Sequence, residues 1–482
     1  MPNPAGKARL AALPPMPTYA LVTFGCQMNQ HDSERIAEVL RDGGYSECES
    51  PEQADLVLLN TCSVREKAEQ KLRSEVGRLG MLKEARPDLV ICVAGCVAQQ
   101  EGERLIKRMP QIDLVVGPDR IADLPRALAD LELGAPPQVR VGFDVDEPQF
   151  LTARPLPGRA PVSAFVTVMK GCDERCSFCI VPTTRGPERY RPAREIVQEI
   201  ARLVASGTLE VTLLGQTVNS YRDPEHSLPS DADDESEFAW LLRRIAAEVP
   251  GLLRLRYTSP HPRHLTQALI TAHAELKLLV RHVHMPVQSG SDRVLKRMIR
   301  RYTASDYRER VQRLRDAVPG VTLSTDVIVG FPGETREDFE ATLALVDTVG
   351  FAGLFGFKYS QRPNTPALRF ADDVSEDEKS QRLEELFALA DGQRRAHLQS
   401  RVGQVEDVLV EGRGRGDEYS GRSERNEIVH VESGDRDPSG RLVKVRIERA
   451  YKNSLFGTLV DTSGLPPRAR ATGALKLPLL NS

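Results

Sequence analysis

The chain has no run of about 18 apolar residues, so nothing in it reads as a membrane-crossing helix. Its opening, MPNPAGKARLAALPPMPTYA, interrupts any signal-type apolar core with prolines, and residues 1–17 are expected to be disordered. A cytoplasmic protein with no membrane partner is the expectation. An excess of charge of one sign is also missing: 65 Lys and Arg face 68 Asp and Glu, a formal net charge of -3, so any basic surface must be local. There is no internal repeat and no extended low-complexity tract, which excludes a solenoid. Cysteine is sparse, eight in 482 residues, too few for a disulfide scaffold. In a reducing compartment, clustered cysteines in such a chain more often ligate metal or do chemistry.

What is present is strand-helix alternation. From Thr18 to about Asp130 the apolar runs YALVTFG, ADLVLLN, DLVICVAG and IDLVVG alternate with charged helical segments, the pattern of a doubly wound parallel sheet. The first of those helices lies in NQHDSERIAEVL, with Asp32 or Ser33 as its expected cap. A proline-rich linker with one short strand is expected over 134–157. Between 158 and 392 six strand segments, SAFVTVM, EVTLLG, LRLRYTS, HVHMPV, LSTDVIVG and GLFGFKY, are separated by helical segments such as 193–206, 238–248, 304–317 and 335–348. That repetition predicts a partial (β/α)6 barrel of parallel strands. FPGET at 331–335 lacks phosphate-loop spacing and is read as the start of the next helix. DPEHSLPSDADDESEF reads as a surface insertion, and SEDEKSQRLEELFALADGQRRAHLQSR as a charged helix leaving the barrel. Residues 398–462 alternate apolar and polar in VEDVLVE, NEIVHVE, RLVKVRIERA and SLFGTLV, as a small antiparallel barrel would. A tail, 463–482, ends the chain. The fold class is therefore α/β, in three domains: 18–133, 158–392 and 398–462.

KGCDERCSFCIV places Cys172, Cys176 and Cys179 in a C-x3-C-x2-C array just past the first barrel strand, at the end where such folds collect their active sites. A four-iron cluster held by three thiolates leaves one iron open to a small molecule. Zinc with a distant fourth ligand is the alternative, although zinc ligands more often come in C-x2-C pairs. Three more cysteines each end an apolar strand: Cys26, Cys62 and Cys96, 36 and 34 residues apart. A parallel sheet brings them to its carboxyl edge, where open α/β sheets bind ligands, and a second three-thiolate site is expected there. Cys92 lies inside a strand and reads as core, and Cys48 sits among carboxylates, where a thiol is a poor ligand.

Taken in order, GCQMNQHDSE, NTCSVREKAE, AGCVAQ, GCDERCSFCIVPTTRG and MPVQSGSDRVLKRM resemble the methylthiotransferase family of radical S-adenosylmethionine enzymes. Within it the sequence is most similar to the subgroup acting on N6-isopentenyladenosine next to the tRNA anticodon, and 398–462 is similar to an RNA-binding TRAM domain. The resemblance implies two 4Fe-4S clusters. Cys172, Cys176 and Cys179 would hold the S-adenosylmethionine cluster, and Cys26, Cys62 and Cys96 an auxiliary one that supplies sulfur. It further implies two molecules of S-adenosylmethionine per turnover, one giving a deoxyadenosyl radical. The radical is needed because carbon 2 of adenine carries a hydrogen that no side-chain base readily removes. The amino-terminal sheet would then pack over the barrel mouth. By the same resemblance Gly215 and Gln216 would hold the methionine amino group, and Gln288, Ser289, Asp326 and Gly330 would line the nucleoside part of the cofactor. Partners implied are tRNA and a flavodoxin-like or ferredoxin-like electron donor, with the enzyme a monomer.

For RNA phosphates the helix SDRVLKRMIRRYT offers Arg293, Lys296, Arg297, Arg300 and Arg301, against the plain alternative of a solvated face. Arg185 in PTTRG is a further candidate for phosphate or cofactor, or a brace for its loop. The small barrel gives no help by charge, since 401–452 carries eleven basic and eleven acidic side chains. Two other functions stand beside this one: methylthiolation of a ribosomal-protein aspartate, and a non-catalytic RNA-binding metalloprotein.

Overall fold

The structure is a computed structural model that describes residues 16–63, 66–154, 160–226, 236–414, 416 and 418–468. Residues 1–15, most of the acidic insertion and the end of the tail lie outside them. The chain divides into two compact units, one of residues 1–154 with 180–187, the other of 155–179 with 188–482.

The first unit is a six-stranded sheet, β1 (Thr18–Phe24), β2 (Ser46–Glu47), β3 (Leu56–Thr61), β4 (Val90–Gly95), β5 (Leu114–Val116) and β6 (Gln138–Arg140), in the order β2-β1-β3-β4-β5-β6. Every pairing is parallel. Strand side chains alternate between faces, so near-continuous apolar runs supply two cores. Val57, Leu59, Ile91, Val93 and Val115 pack with Leu72, Val76 and Leu79 of α2 (Glu66–Ala85). Leu56, Leu58, Cys92, Leu114 and Val116 pack with Ile36 and Leu40 of α1 (Gln27–Asp42) and with Leu124 and Leu128 of α5 (Leu124–Glu132). Each such buried side chain contributes roughly 1.5–3 kcal/mol. Two short helices, α3 (Cys96–Glu101) and α4 (Glu103–Arg108), follow β4, and α6 (Val181–Arg185) belongs to this unit. The expected cap of α1 is corrected: Cys26 is the N-cap, and Asp32 and Ser33 are buried inside the helix.

In the second unit the six expected barrel strands form two parallel three-stranded sheets. One joins β7 (Ser163–Thr167), β10 (Glu210–Leu214) and β11 (Arg254–Tyr257); the other joins β12 (His282–His284), β13 (Thr322–Val329) and β14 (Gly353–Lys358). The bridge Leu255↔Leu279 is the link recorded beside β11 toward the second sheet. A short antiparallel ribbon, β8 (Met169–Lys170) with β9 (Arg189–Tyr190), follows β7. The intervening helices are α7 (Ala193–Ala205), α8 (Glu237–Glu248), α9 (Gln267–Glu275), α10 (Asp292–Arg297), α11 (Ala304–Ala317) and α12 (Arg336–Val349). Thr335 of FPGET caps α12, accepting from the Asp338 amide. The charged helix α13 (Glu376–Ser400) runs unbroken through residue 392.

Strands β15 (Val405–Arg413), β16 (Tyr419–Ser423), β17 (Ile428–Glu432), β18 (Arg441–Ala450) and β19 (Leu455–Leu459) close into a barrel. It differs from the expected one in two ways: β16 is an additional strand, and β17 pairs with β19 in parallel. Residues 463–468 are not a free tail, because Leu465 is buried and Pro467 bridges Arg436. Buried arginines of β11 hold the small barrel. Arg254 donates to the carbonyls of Arg422 and Asp407, both at 2.6 Å, and Arg256 to that of Ser423 at 3.0 Å.

Candidate metal centres

Strands β1, β3 and β4 are neighbours, and their register pairs Phe24 with Thr61 and Thr61 with Gly95. Cys26, Cys62 and Cys96 follow those residues directly or after one residue, so one sheet edge carries all three. The Cys62 amide donates to Phe24 O at 2.9 Å, and a Cβ on Gly25 would come within 2.9 Å of Cys62 Cβ, so the turn after β1 tolerates only glycine. A buried polar layer lies beneath. Asn29 Nδ2 donates to Asn60 Oδ1 at 3.2 Å, while Asn60 Nδ2 reaches Asn29 O at 2.8 Å and Ser33 Oγ at 2.9 Å. The Cys62 thiol, with Asn29 and Arg185, draws the Cys26 thiol down to about 6, whereas burial pushes that of Cys96 up.

Arg185 of α6 is only 6% exposed. Its Nε donates to Cys96 Sγ at 3.3 Å, and its two terminal nitrogens grip the Asp32 carboxylate at 3.4 and 2.6 Å. Although burial alone would raise Asp32, the Arg185 guanidinium holds it at about 2. Arg185 is therefore a buried partner of the first triad and not an RNA-facing cation.

The second triad occupies the loop after β8. Cys172 and Cys176 are buried and Cys179 is half-buried. Cys172 Sγ lies 2.9 Å from Thr217 Oγ1, and burial raises its thiol to about 11. The loop is clamped at Ser177, whose amide and hydroxyl donate to Met298 O and Arg297 O at 3.0 and 2.8 Å. Arg300, 5% exposed, gives Nη1 to Cys176 Sγ at 3.3 Å, Nε to Tyr302 Oη at 3.0 Å and Nη2 to Pro286 O at 3.0 Å.

The basic helix is thus corrected in extent and in role. It ends at Arg297, and left-handed Ile299 and Arg301 turn the chain away. Arg300 is buried, Arg293 is ion-paired to Asp338, and Arg297 lies 4.3 Å over the Phe370 ring. Lys296 and Arg301 keep exposed side chains.

Among the cofactor candidates, Gly215 packs so closely on Met169 that a Cβ would lie 2.6 Å from its Cγ. Gln216 Oε1 accepts from the Gly171 amide at 2.5 Å, and its Nε2 is buried without a partner among the described residues. Gln288, left-handed at φ 72°, and Asp326 are joined through the backbone at 2.8 Å, and Asp326 Oδ2 lies 3.4 Å from His284 Nε2. Ser289 is turned toward Thr342 on α12, at 3.2 Å, and the Gly330 amide is taken by Glu334 Oε2 at 2.6 Å.

Sequence reasoning missed Glu174, His261 and His264, whose ligand atoms lie within 4.8 Å of one another. The signal was SPHPRH after β11. Glu174 and His264 are 3.0 Å apart, but Arg263 is also 3.7 Å from Glu174. Among the described residues, neither cysteine triad forms a group that close. Tetrahedral zinc would hold thiolates roughly 3.8 Å apart, from Zn–S bonds of about 2.3 Å. Both triads offer thiols alone, the usual ligands of iron-sulfur clusters.

A thiol triad after the first of two parallel three-stranded sheets, beside a closed small barrel, lies within the part of the chain that matches the radical S-adenosylmethionine class of enzymes. Family comparisons agree. Residues 18–117 match an uncharacterized protein family, UPF0004, residues 166–346 the Radical SAM superfamily, and residues 399–460 the TRAM domain. The tRNA-2-methylthio-N(6)-dimethylallyladenosine synthase of Sorangium cellulosum (strain So ce56) is 61% identical over 96% of this chain and 97% of its own. The enzyme of that name from Bordetella petrii is 47% identical, over 92% and 91%. Among solved structures the fold is similar to TsrM, a radical S-adenosylmethionine methyltransferase from Kitasatospora setae. That match has a TM-score of 0.53 and 18% identity, over 73% of this chain and 77% of the other. The chain belongs to the tRNA-2-methylthio-N(6)-dimethylallyladenosine synthase family of radical S-adenosylmethionine methylthiotransferases. Membership of the radical class implies a 4Fe-4S cluster and S-adenosylmethionine.

Proposed function

We infer that this chain methylthiolates carbon 2 of N6-isopentenyladenosine next to the anticodon of tRNA. The observation that carries the inference is the 61% identity that runs through nearly the whole of both chains. Residues 18–133 form the domain of the auxiliary cluster, held by Cys26, Cys62 and Cys96. Residues 158–392 form the radical domain, with Cys172, Cys176 and Cys179 as ligands. Residues 398–462 are the RNA-binding barrel. When bound, the clusters with S-adenosylmethionine supply the one-electron and sulfur chemistry that side chains lack.

The chain's own residues bind, orient and shield. Thr217 fixes the Cys172 sulfur, and Ser177 anchors the loop that carries the triad. Gln216 braces that loop with its oxygen, so its free amide is a donor; it suits the methionine carboxylate rather than the ammonium. Gly215 leaves room beside it. Gln288 and Asp326 line the nucleoside end, while Ser289 and Gly330 act through the shape of their turns. Lys296 and Arg301 are the cations left to meet RNA. A flavodoxin-like or ferredoxin-like donor supplies electrons to a cytoplasmic monomer. Among the described residues no helix is long and apolar enough to cross a membrane.

Anaerobic reconstitution followed by iron, sulfide and product analysis tests this reading. About eight irons are expected, four per triad. Cys176→Ala should form no deoxyadenosine, and Cys62→Ala should cleave S-adenosylmethionine without methylthiolating tRNA. Undiminished deoxyadenosine in the first variant, or normal methylthiolated product from the second, overturns the respective assignment.

A further inference from the structure

Among the described residues, one buried arginine donates an N–H to a sulfur of each triad, at the same 3.3 Å distance: Arg185 to Cys96 and Arg300 to Cys176. The remaining partners of the two guanidiniums differ in charge. Arg185 is clasped by the Asp32 carboxylate. Arg300 meets only neutral groups beyond the sulfur, the Tyr302 hydroxyl and the Pro286 carbonyl, and among the described residues it forms no ion pair with a carboxylate.

Reduction potentials of iron-sulfur clusters depend on net charge, on hydrogen bonds to the sulfurs and on solvent exposure. Both arginines donate a hydrogen bond, which spreads charge off the thiolate. Only Arg300 adds a full, uncompensated positive charge at a buried site, where charge interactions are screened least. Adding one electron to a site already carrying thiolates is easier beside such a charge. Arg185 with Asp32 sums to zero.

We propose that Arg185 and Arg300 are positioning residues of unequal strength, and that the uncompensated charge of Arg300 makes the Cys172, Cys176, Cys179 cluster the easier of the two to reduce. This rests on the reading that each triad holds a cluster. A one-electron donor of the flavodoxin or ferredoxin class is then oxidised by one electron as that cluster gains one. Asp32 is the residue that sets the difference.

The test is a potentiometric titration followed by electron-spin resonance on full-length reconstituted protein. The signals are separated in two backgrounds, one with Cys26, Cys62 and Cys96 replaced by alanine, the other with Cys172, Cys176 and Cys179 replaced. Arg300→Met should lower the equilibrium constant for reducing its cluster at least tenfold, a shift of about 59 mV for a one-electron couple. Arg300→Lys keeps the charge and should fall between parent and Arg300→Met. Arg185→Met combined with Asp32→Asn should move the auxiliary cluster less than threefold. Iron content is read on every sample. A triad background that keeps all eight irons overturns the cluster assignment itself. Full iron content with Arg300→Met within threefold of the parent, or equal shifts at both clusters, overturns this proposal and leaves that assignment intact.

Discussion

The small barrel is clamped to the radical domain through buried arginines, and the strength of the clamp can be worked out from Arg254. Its guanidinium supplies two charge-assisted hydrogen bonds to main-chain carbonyls, those of Arg422 and Asp407, each at 2.6 Å. A hydrogen bond to a charged group contributes about 1.5–3 kcal/mol net, so the two are worth about 3–6 kcal/mol in a favourable setting. Burial and the nearby Arg256 push the Arg254 guanidinium below its ordinary value, so some of that gain is offset. A net loss of about 3 kcal/mol in Arg254→Met corresponds to roughly a 150-fold rise in the undocked population. Arg256 to Ser423 O, Thr322 Oγ1 to Arg425 O and Arg425 Nε to Gly320 O remain as weaker ties, so the barrel should hinge and not detach. Undocking exposes the junction after α13. When reclosing is faster than cleavage, the rate of tryptic cutting follows the open population. We expect cutting after Arg401 to rise on the order of 100-fold, with KM for tRNA increased and deoxyadenosine formation unchanged. Cutting within threefold of the parent, at full iron content, would refute the claim that Arg254 carries the docking.

Three further outcomes are expected. His273 is buried, its Nε2 2.6 Å from Tyr257 Oη, and burial lowers it to about 4 from 6.5. The unfolded chain then binds the proton first, so stability is full above pH 6.5 and falls toward pH 4 by up to about 3 kcal/mol; His273→Gln should flatten the urea midpoint over that range, and an unchanged slope would contradict the assignment. Arg382 and Glu334 form a buried pair at 2.6 Å, and Arg382→Met should cost about 3–5 kcal/mol, with Glu334→Gln in the same chain recovering at least half; the check is urea denaturation of the single and double variants. Finally, Lys296→Ala and Arg301→Ala should each weaken tRNA binding without changing which tRNA is chosen, and each should flatten the salt dependence by roughly 0.7–0.9 in log-log slope if it meets one phosphate. A slope that does not move would place that side chain away from the RNA.

Much of the architecture is legible because parallel strands are buried on both faces and so read as unbroken apolar runs. The three amino-terminal cysteines follow from that: each ends such a run, and the strands β1, β3 and β4 that precede them are neighbours in the sheet. Where burial does not select apolar residues, the reading fails. Strand β16, YSGRS, turns Tyr419, Gly421 and Ser423 inward, a set with no apolar alternation to notice. The end of α10 is also silent, because Ile299 and Arg301 take left-handed conformations with no glycine or proline to mark the stop. Arg300 stands in the sequence among the candidates for RNA phosphates, and Arg185 for phosphate, cofactor or a loop brace, because a sequence displays charge but not the water around it. Their burial depends on Cys96 and Asp32 beside Arg185 and on Cys176 beside Arg300, groups brought from distant segments.

The group Glu174, His261 and His264 shows why ligand spacing alone does not define a metal site. Its atoms are close enough for one ion, and His261 Nε2 is buried without a partner among the described residues. Yet burial together with Arg300, His264, Arg263 and Arg310 pushes the His261 imidazole well below its ordinary value. The imidazole therefore stays neutral over the ordinary pH range. Glu174 is already held by His264 and Arg263, which makes the group a brace for the loop between Cys172 and Cys176. The same Arg300 that helps keep His261 neutral donates to the Cys176 sulfur at 3.3 Å. One buried guanidinium thus bears on two loops at once, holding the His261 imidazole neutral after β11 and anchoring the Cys176 sulfur after β8.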